Sequence, residues 1–219
     1  MRARYDGLAE WYDERFGADA PLHQPGLLEL LGPGSGACLD IGCGTGRNFE
    51  SIRASGRSVV GLDFSIDQLR RARMRTDGPL FHGDAAALPF ADESFDTAIT
   101  LWISTDVDDF GAVLREAARV LRSGGALVAY GVHPCFNGPH VVYEDDGRRT
   151  VYRTYRQTGW HTEMPWWAED GIRRRIGMSH LTLADYLNAI VGSGLVAERF
   201  EEPAGYDIPH ALAFRARKP

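Results

Sequence analysis

Apolar residues fall along this chain in two rhythms. Short, nearly unbroken apolar runs stand at 37–41 (ACLDI), 58–63 (SVVGLD), 79–84 (PLFHGD), 95–102 (FDTAITLW) and 126–132 (ALVAYGV). The lack of alternation, clearest at 95–102, predicts strands covered on both faces. Between the runs the rhythm is helical. Phe110, Val113, Leu114, Ala117, Val120 and Leu121 repeat at i, i+3, i+4 and i+7, the spacing of an amphipathic helix. RNFESIRAS (47–55) predicts another, stopped by Gly56. IDQLRRARMR (66–75) predicts a third, with Ser65 as N-cap and Gln68 completing a capping box. Tyr5, Leu8, Ala9, Tyr12 and Phe16 predict an aromatic-faced N-terminal helix. GLLELL (26–31) predicts a short one between breaks at GADAP (17–21) and GPGSG (32–36). Near the end, Leu183, Tyr186, Leu187, Ile190 and Val191 share one helical face, and 195–200 and 210–216 can supply two more strands.

Strands that alternate with helices over about a hundred residues imply βαβ units, right-handed crossovers and a mainly parallel sheet with helices on both faces. Such sheets bind ligands beyond the carboxyl ends of their strands. The 219 residues suit one domain, and 44% hydrophobic with 25% charged residues is enough for a sizeable core. A net charge of -6 argues against a broad surface for nucleic acid. The three cysteines, Cys38, Cys43 and Cys135, show no metal or disulfide spacing; reduced thiols fit the cytoplasm, and no metal is expected. The N-terminus lacks the apolar run of a signal peptide, and no stretch is long and apolar enough to span a bilayer, so no membrane partner is expected.

The chemistry concentrates in CLDIGCGTGRNF (38–49). Gly42, Gly44 and Gly46 follow the first strand, where glycine permits a tight turn and lets a ligand approach bare backbone. A dinucleotide fingerprint would put its third glycine at position 47, which is Arg47. Asp63 ends the second strand about twenty residues on, where a carboxylate can accept from ribose hydroxyls. The pair points to a ribose-bearing ligand.

LDIGCGTGRN, VVGLDFS, GDAAALPFADESFDTAITLW and LREAARVLRSGGALVAYG resemble, in order and spacing, the successive motifs of class I S-adenosylmethionine-dependent methyltransferases. They are most similar to the small-molecule group that includes the ubiquinone/menaquinone-biosynthesis type. The resemblance covers roughly 36–132. It implies a Rossmann-like doubly wound α/β sheet of seven strands, order 3-2-1-4-5-7-6, the seventh antiparallel. It implies S-adenosyl-L-methionine as cofactor and S-adenosyl-L-homocysteine as product. Carried over, it places Asp40 and the turn Gly42, Cys43, Gly44 and Gly46 at the methionine end. Asp63 falls at the ribose, Phe64, Asp84 and Ala85 at the adenine, and Leu101 and Trp102 at the sulfonium. Tyr5 and Tyr12 fall in an N-terminal cap.

One methyltransferase domain over 1–219 is thus expected: a cap over 1–35, a cofactor core over 36–132, a substrate lid over 133–181, and a final helix and two strands over 182–219. The lid holds Trp160, Trp166 and Trp167, with a hairpin turn at Asp146-Gly147, which favours a small, aromatic or apolar methyl acceptor at O, N or C. His133, leaving the fifth strand at its carboxyl end, is the first candidate for general base, with His140 and His161 behind it. Asp106 or Asp108 is expected to cap the next helix. A cofactor-binding partner without catalysis stays open, a nucleotide-dependent oxidoreductase less so, and so does a homodimer.

Overall fold

The computed structural model describes residues 3–16 and 26–219; the break expected at 17–21 lies outside them. The strands of the central sheet are β1 (Ala37–Ile41), β2 (Ser58–Asp63), β3 (Leu80–His82), β4 (Phe95–Leu101), β5 (Leu121–Val132), β10 (Val196–Glu201) and β11 (Ala211–Arg217). Their order is β10-β11-β5-β4-β1-β2-β3. β1, β2, β3, β4 and β5 run parallel, and β11 lies antiparallel between β5 and β10. This is the seven-stranded order, with its last strand antiparallel, that the family resemblance implies.

Helices cover both faces. Phe110, Leu114 and Ala117 of α5 (Phe110–Val120) and Tyr186 and Ile190 of α7 (Leu183–Gly192) pack on one face with Leu39, Leu127 and Phe214. α2 (Leu27–Leu31), α3 (Phe49–Ala54) and α4 (Ile66–Ala72) cover the other through Leu30, Leu31, Phe49, Ile52 and Ala72. The unalternating strands follow from this double cover. β5 carries a bulge near its start: Phe95 and Thr97 of β4 pair with Leu121 and Ala126, so 122–125 leave the ladder with β4.

Four local outcomes differ from the sequence reading. The N-terminal helix α1 (Ala9–Phe16) begins only at Ala9, and Tyr5 sits in the preceding turn. The N-cap of α5 is Asp109, whose carboxylate accepts from Ala112 N–H at 2.8 Å; Asp106 and Asp108 serve elsewhere. The Ser65–Gln68 capping box is half formed. Ser65 Oγ accepts from Gln68 N–H, while both amide atoms of the Gln68 side chain have no partner among the described residues. The reciprocal box forms instead at Thr182 and Asp185, at the start of α7. Thr182→Ala should therefore cost about 1 kcal/mol. Urea denaturation reads this, and an unchanged midpoint would show α7 held by packing alone.

The stretch after β5 folds as two antiparallel pairs, β6 (Val141–Tyr143) with β7 (Arg149–Val151) and β8 (Gly159–His161) with β9 (Met178–His180). α6 (Ile172–Ile176) lies between β8 and β9. The first pair turns at Asp146-Gly147, with Gly147 at φ 84°.

Candidate functional site

A cleft of about 960 Å³ opens at the carboxyl ends of β1, β2, β4 and β5. Its floor is the glycine turn. Gly42 and Cys43 N–H both donate to Leu62 O, at 2.8 and 2.9 Å, so the β2 edge anchors the turn as it leaves β1. Gly44 N–H donates to Asp63 Oδ2 at 2.8 Å, and Ser65 N–H to Asp63 Oδ1 at 2.8 Å. Asp63 thus clamps two loops while lining the cleft. Burial pushes its carboxyl up to about 6, although those N–H bonds favour the ionised form.

Polar groups gather around this floor without partners. The Asp40 side chain is fully buried, and neither carboxylate oxygen has a partner among the described residues. Burial, with Asp63 as neighbour, pushes it up to about 8. Thr45 Oγ1, Asn48 Oδ1 and both amide atoms of Gln68 are likewise buried and unpartnered, and all three residues line the cleft. Buried polar atoms are normally satisfied, so the orphaned atoms of Thr45, Asn48 and Gln68 in the cleft lining, with Asp40 of β1 buried out of the lining, mark a place suited to a polar ligand.

Phe64, Asp84 and Ala85 line the same cleft beyond Asp63. Phe64 stacks on His82 with ring centroids 5.9 Å apart. Asp84 Oδ1 accepts from Ala86 N–H at 2.8 Å and holds its own turn. Across the cleft stand Leu101 and Trp102. Trp102 adopts φ 66°, a left-handed conformation that a bulky residue rarely takes, and donates its N–H to Tyr130 O at 2.6 Å. Its ring meets Tyr130 edge-on at 5.0 Å and His210 at 6.2 Å.

The roof joins the N-terminal segment to the stretch after β5. Tyr5 OH donates to Asp106 Oδ2 at 2.8 Å, and Arg173 ion-pairs with the other oxygen of Asp106 while donating to Thr105 Oγ1 at 2.9 Å. Burial and then Asp106 raise the Tyr5 hydroxyl well above its ordinary value. Arg4 lies 3.5 Å over the Trp160 ring, and Arg175 4.4 Å over Trp11. Tyr5 and Tyr12 contact edge-on at 5.7 Å, and both line the cleft. Arg173 lines the cleft.

The three candidate histidines do not line this cleft. His133 is buried; its Nδ1 accepts from Cys135 N–H at 3.1 Å and its Nε2 bonds Glu202 at 3.0 Å, so both nitrogens tie down loops. His140 is fully buried, with Nε2 on Cys135 O at 3.1 Å. His161 bonds Gln157 O at 2.9 Å. Among the histidines in the described residues, His210 alone lines the cleft, beside Val132 and Asn137. Sequence reasoning passed it over because it lies 77 positions from His133, although His133 N–H donates to its carbonyl.

Residues 39–129 match the methyltransferase domain family. The chain is 41% identical over 134 residues to a demethylmenaquinone methyltransferase of Mycobacterium marinum, covering 58% of this chain and 57% of that protein. It is 29% identical over 159 residues to a phosphatidylethanolamine N-methyltransferase of Cereibacter sphaeroides, covering 69% and 76%. The chain spans about half the length of the demethylmenaquinone methyltransferases it matches. Among solved structures, an S-adenosylmethionine-dependent methyltransferase from Mesorhizobium loti superposes with a TM-score of 0.74 at 26% identity, over 92% of this chain and 98% of that one. The orphaned polar atoms fit the cofactor named there: Asp40 offers an acceptor to an ammonium group, and the Gln68 amide a donor to a carboxylate.

Proposed function

We propose that this chain, whose core is a class I S-adenosylmethionine-dependent methyltransferase domain, moves a methyl group to a neutral, planar phenol or hydroquinone. The observation that carries the reading is the single cleft that joins the unpartnered polar floor to an aromatic, apolar far wall. When bound, the cofactor supplies a methyl group on a sulfonium, which leaves as a neutral thioether.

The chain's own work is binding, orientation and exclusion of water. Gly42, Gly44, Gln68 and Asp40 hold the methionine end, Asp63 the ribose, and Phe64, Asp84 and Ala85 the adenine. Leu101 and Trp102 border the transferred methyl, and the Trp102 ring favours a cation beside it. Tyr5, Tyr12 and Arg173 close the roof. Fixing two reactants in line removes much of the entropic barrier, so no charged catalytic group is obligatory.

The acceptor class follows from the far wall. Trp102, Ile103, Val132, Ile172 and His210 present apolar and aromatic surface. The carboxylates at that end are paired already: Asp106 with Arg173, Asp108 with Arg4, and Asp109 with Arg115. Among the described residues a cationic amine finds no free counter-charge there, whereas the apolar and aromatic wall suits a planar ring. This supports a quinol-like acceptor, as the name of the Mycobacterium marinum relative suggests, over the amine named for the Cereibacter sphaeroides one.

The test has two parts. Calorimetry should give micromolar affinity for S-adenosylhomocysteine, about 8 kcal/mol. Tritiated S-adenosylmethionine should label 1,4-naphthohydroquinone in preference to phosphatidylethanolamine. Label on the amine alone would overturn the acceptor class, and absence of binding would overturn the reading itself.

A further inference from the structure

We propose that His210 takes the acceptor's proton as the methyl group is transferred, and that Tyr143 passes that proton to solvent. The inference rests on the methyltransferase reading above.

Position comes first. His210 immediately precedes β11, whose first residue, Ala211, pairs with Val132 at the end of β5. The imidazole therefore stands at the ligand edge of the sheet, edge-on to Trp102, the residue that borders the methyl position. Its surroundings hold it in one orientation. Tyr206 stacks on the ring at 4.8 Å. Asn137 Nδ2 donates to the His210 carbonyl at 3.2 Å and covers the ring at 3.3 and 3.5 Å from its two nitrogens. Tyr143 OH lies 3.2 Å from Nδ1. With Nδ1–H donating to the Tyr143 oxygen, Nε2 carries the lone pair; it faces Asn137 Nδ2 at 3.3 Å, a contact the acceptor's hydroxyl must displace.

The charges around the ring keep it neutral. Arg149, which lies 4.2 Å over the Tyr143 ring, is the charged side chain that acts on it; Tyr143, Tyr206, Asn137 and Trp102 are uncharged. Burial first, and then Arg149, lower His210 to about 4. Such an imidazole is a weak base but is always in its base form at neutral pH. A weak base is sufficient here. An acceptor atom that has begun to bond the methyl carbon gains positive charge, and its proton becomes far more acidic than that of a resting phenol.

The step balances. A lone pair on the acceptor oxygen, or the ring carbon conjugated to it, forms the bond to the methyl carbon as the sulfur–carbon bond breaks and leaves its pair on sulfur. The acceptor's proton goes to His210 Nε2. The Nδ1 proton moves to the Tyr143 oxygen, whose own hydroxyl proton goes to water; Tyr143 is 47% exposed. Arg149 destabilises the imidazolium and speeds this handover.

The experiment uses the full chain, tritiated S-adenosylmethionine and 1,4-naphthohydroquinone under anaerobic conditions. His210→Ala should lower kcat roughly 10²–10³-fold, with the dissociation constant for S-adenosylhomocysteine unchanged within about twofold. Free imidazole should restore at least tenfold of the lost rate in that variant and nothing in His210→Asn, which fills the site without a base. Tyr143→Phe should lower kcat about fivefold and raise the solvent isotope effect. At saturating S-adenosylmethionine, kcat should stay flat between pH 6 and 8. Normal kcat in His210→Ala, a loss confined to KM, or no rescue by imidazole overturns the proposal and leaves the methyltransferase reading intact. A wild type that binds S-adenosylhomocysteine but labels no naphthohydroquinone overturns the acceptor class and this proposal together. A wild type that does not bind it overturns the reading beneath both.

Discussion

Asp40→Asn should give a cofactor-free protein that is more stable than the wild type, and increasingly so from pH 4 to pH 8. The carboxyl is fully buried and neither oxygen has a hydrogen-bond partner among the described residues. Its folded-state value lies near 8, against about 4 in an unfolded chain. The stability contributed by the protonated form is fully present below pH 4 and is lost as pH rises through 8. An asparagine of nearly the same shape never ionises, so it avoids this loss. A shift of about four units corresponds to roughly 3–5 kcal/mol once the site relaxes. Urea denaturation at pH 4, 6 and 8 checks it; a difference that does not grow with pH would refute the assignment. Function should move the other way. Offered to the cofactor's ammonium group, an ionised Asp40 binds and the amide does not. Affinity for S-adenosylhomocysteine should drop about tenfold in the variant. In the wild type it should rise between pH 6 and 8, with protons released on binding. Retaining an unpaired buried acid in a core strand is the kind of local cost that binding sites carry.

The sheet and its glycine turn were legible in the sequence because their causes are local. Five apolar runs, a period-3.6 helix and an acidic residue at the end of the second strand mark the elements and the near half of the cleft within about a hundred residues, while the strand order was implied only by the family resemblance of the motifs. The hairpin at Asp146-Gly147 was legible for the same reason: a dipeptide that suits its turn stands between two β-rich runs. The far half of the cleft was not legible. His210 is brought to the site by the antiparallel return of β11, and its partners come from two other stretches, Trp102 after β4 and Asn137 and Tyr143 after β5. His133 sits at the expected strand end, but its ring turns away to Cys135 and Glu202. Strand position gives a residue's height in the sheet and leaves the direction of its side chain undecided. Gln68 is a similar case. Its spacing from Ser65 suggests a capping box, yet its amide makes no cap bond, and the residue lines the cleft instead.

Gly44→Val should abolish cofactor binding while sparing the fold, and the neighbouring glycines show why this position is the diagnostic one. All three glycines of the turn have positive φ, at 74°, 54° and 77°. A Cβ on Gly42 would stand 2.8 Å from Ile103, and one on Gly46 only 2.6 Å from the Phe49 ring. Those two glycines let the turn pack, so substituting them damages the core as well as the site. A Cβ on Gly44 would meet only the Gln68 side chain, at 3.7 Å, itself a cleft residue. Its free space is therefore the cleft. Valine there costs about 1–2 kcal/mol of backbone strain. The Gly44 N–H bond to Asp63 survives, because it is a backbone bond. The two methyl groups would occupy the floor between the turn and Gln68, the place proposed above for the methionine end of the cofactor. Affinity for S-adenosylhomocysteine should fall at least about 1000-fold, roughly 4 kcal/mol, with far-UV circular dichroism unchanged. Gly46→Val should lose both together. Micromolar binding retained by folded Gly44→Val protein would place the methionine end somewhere other than this turn.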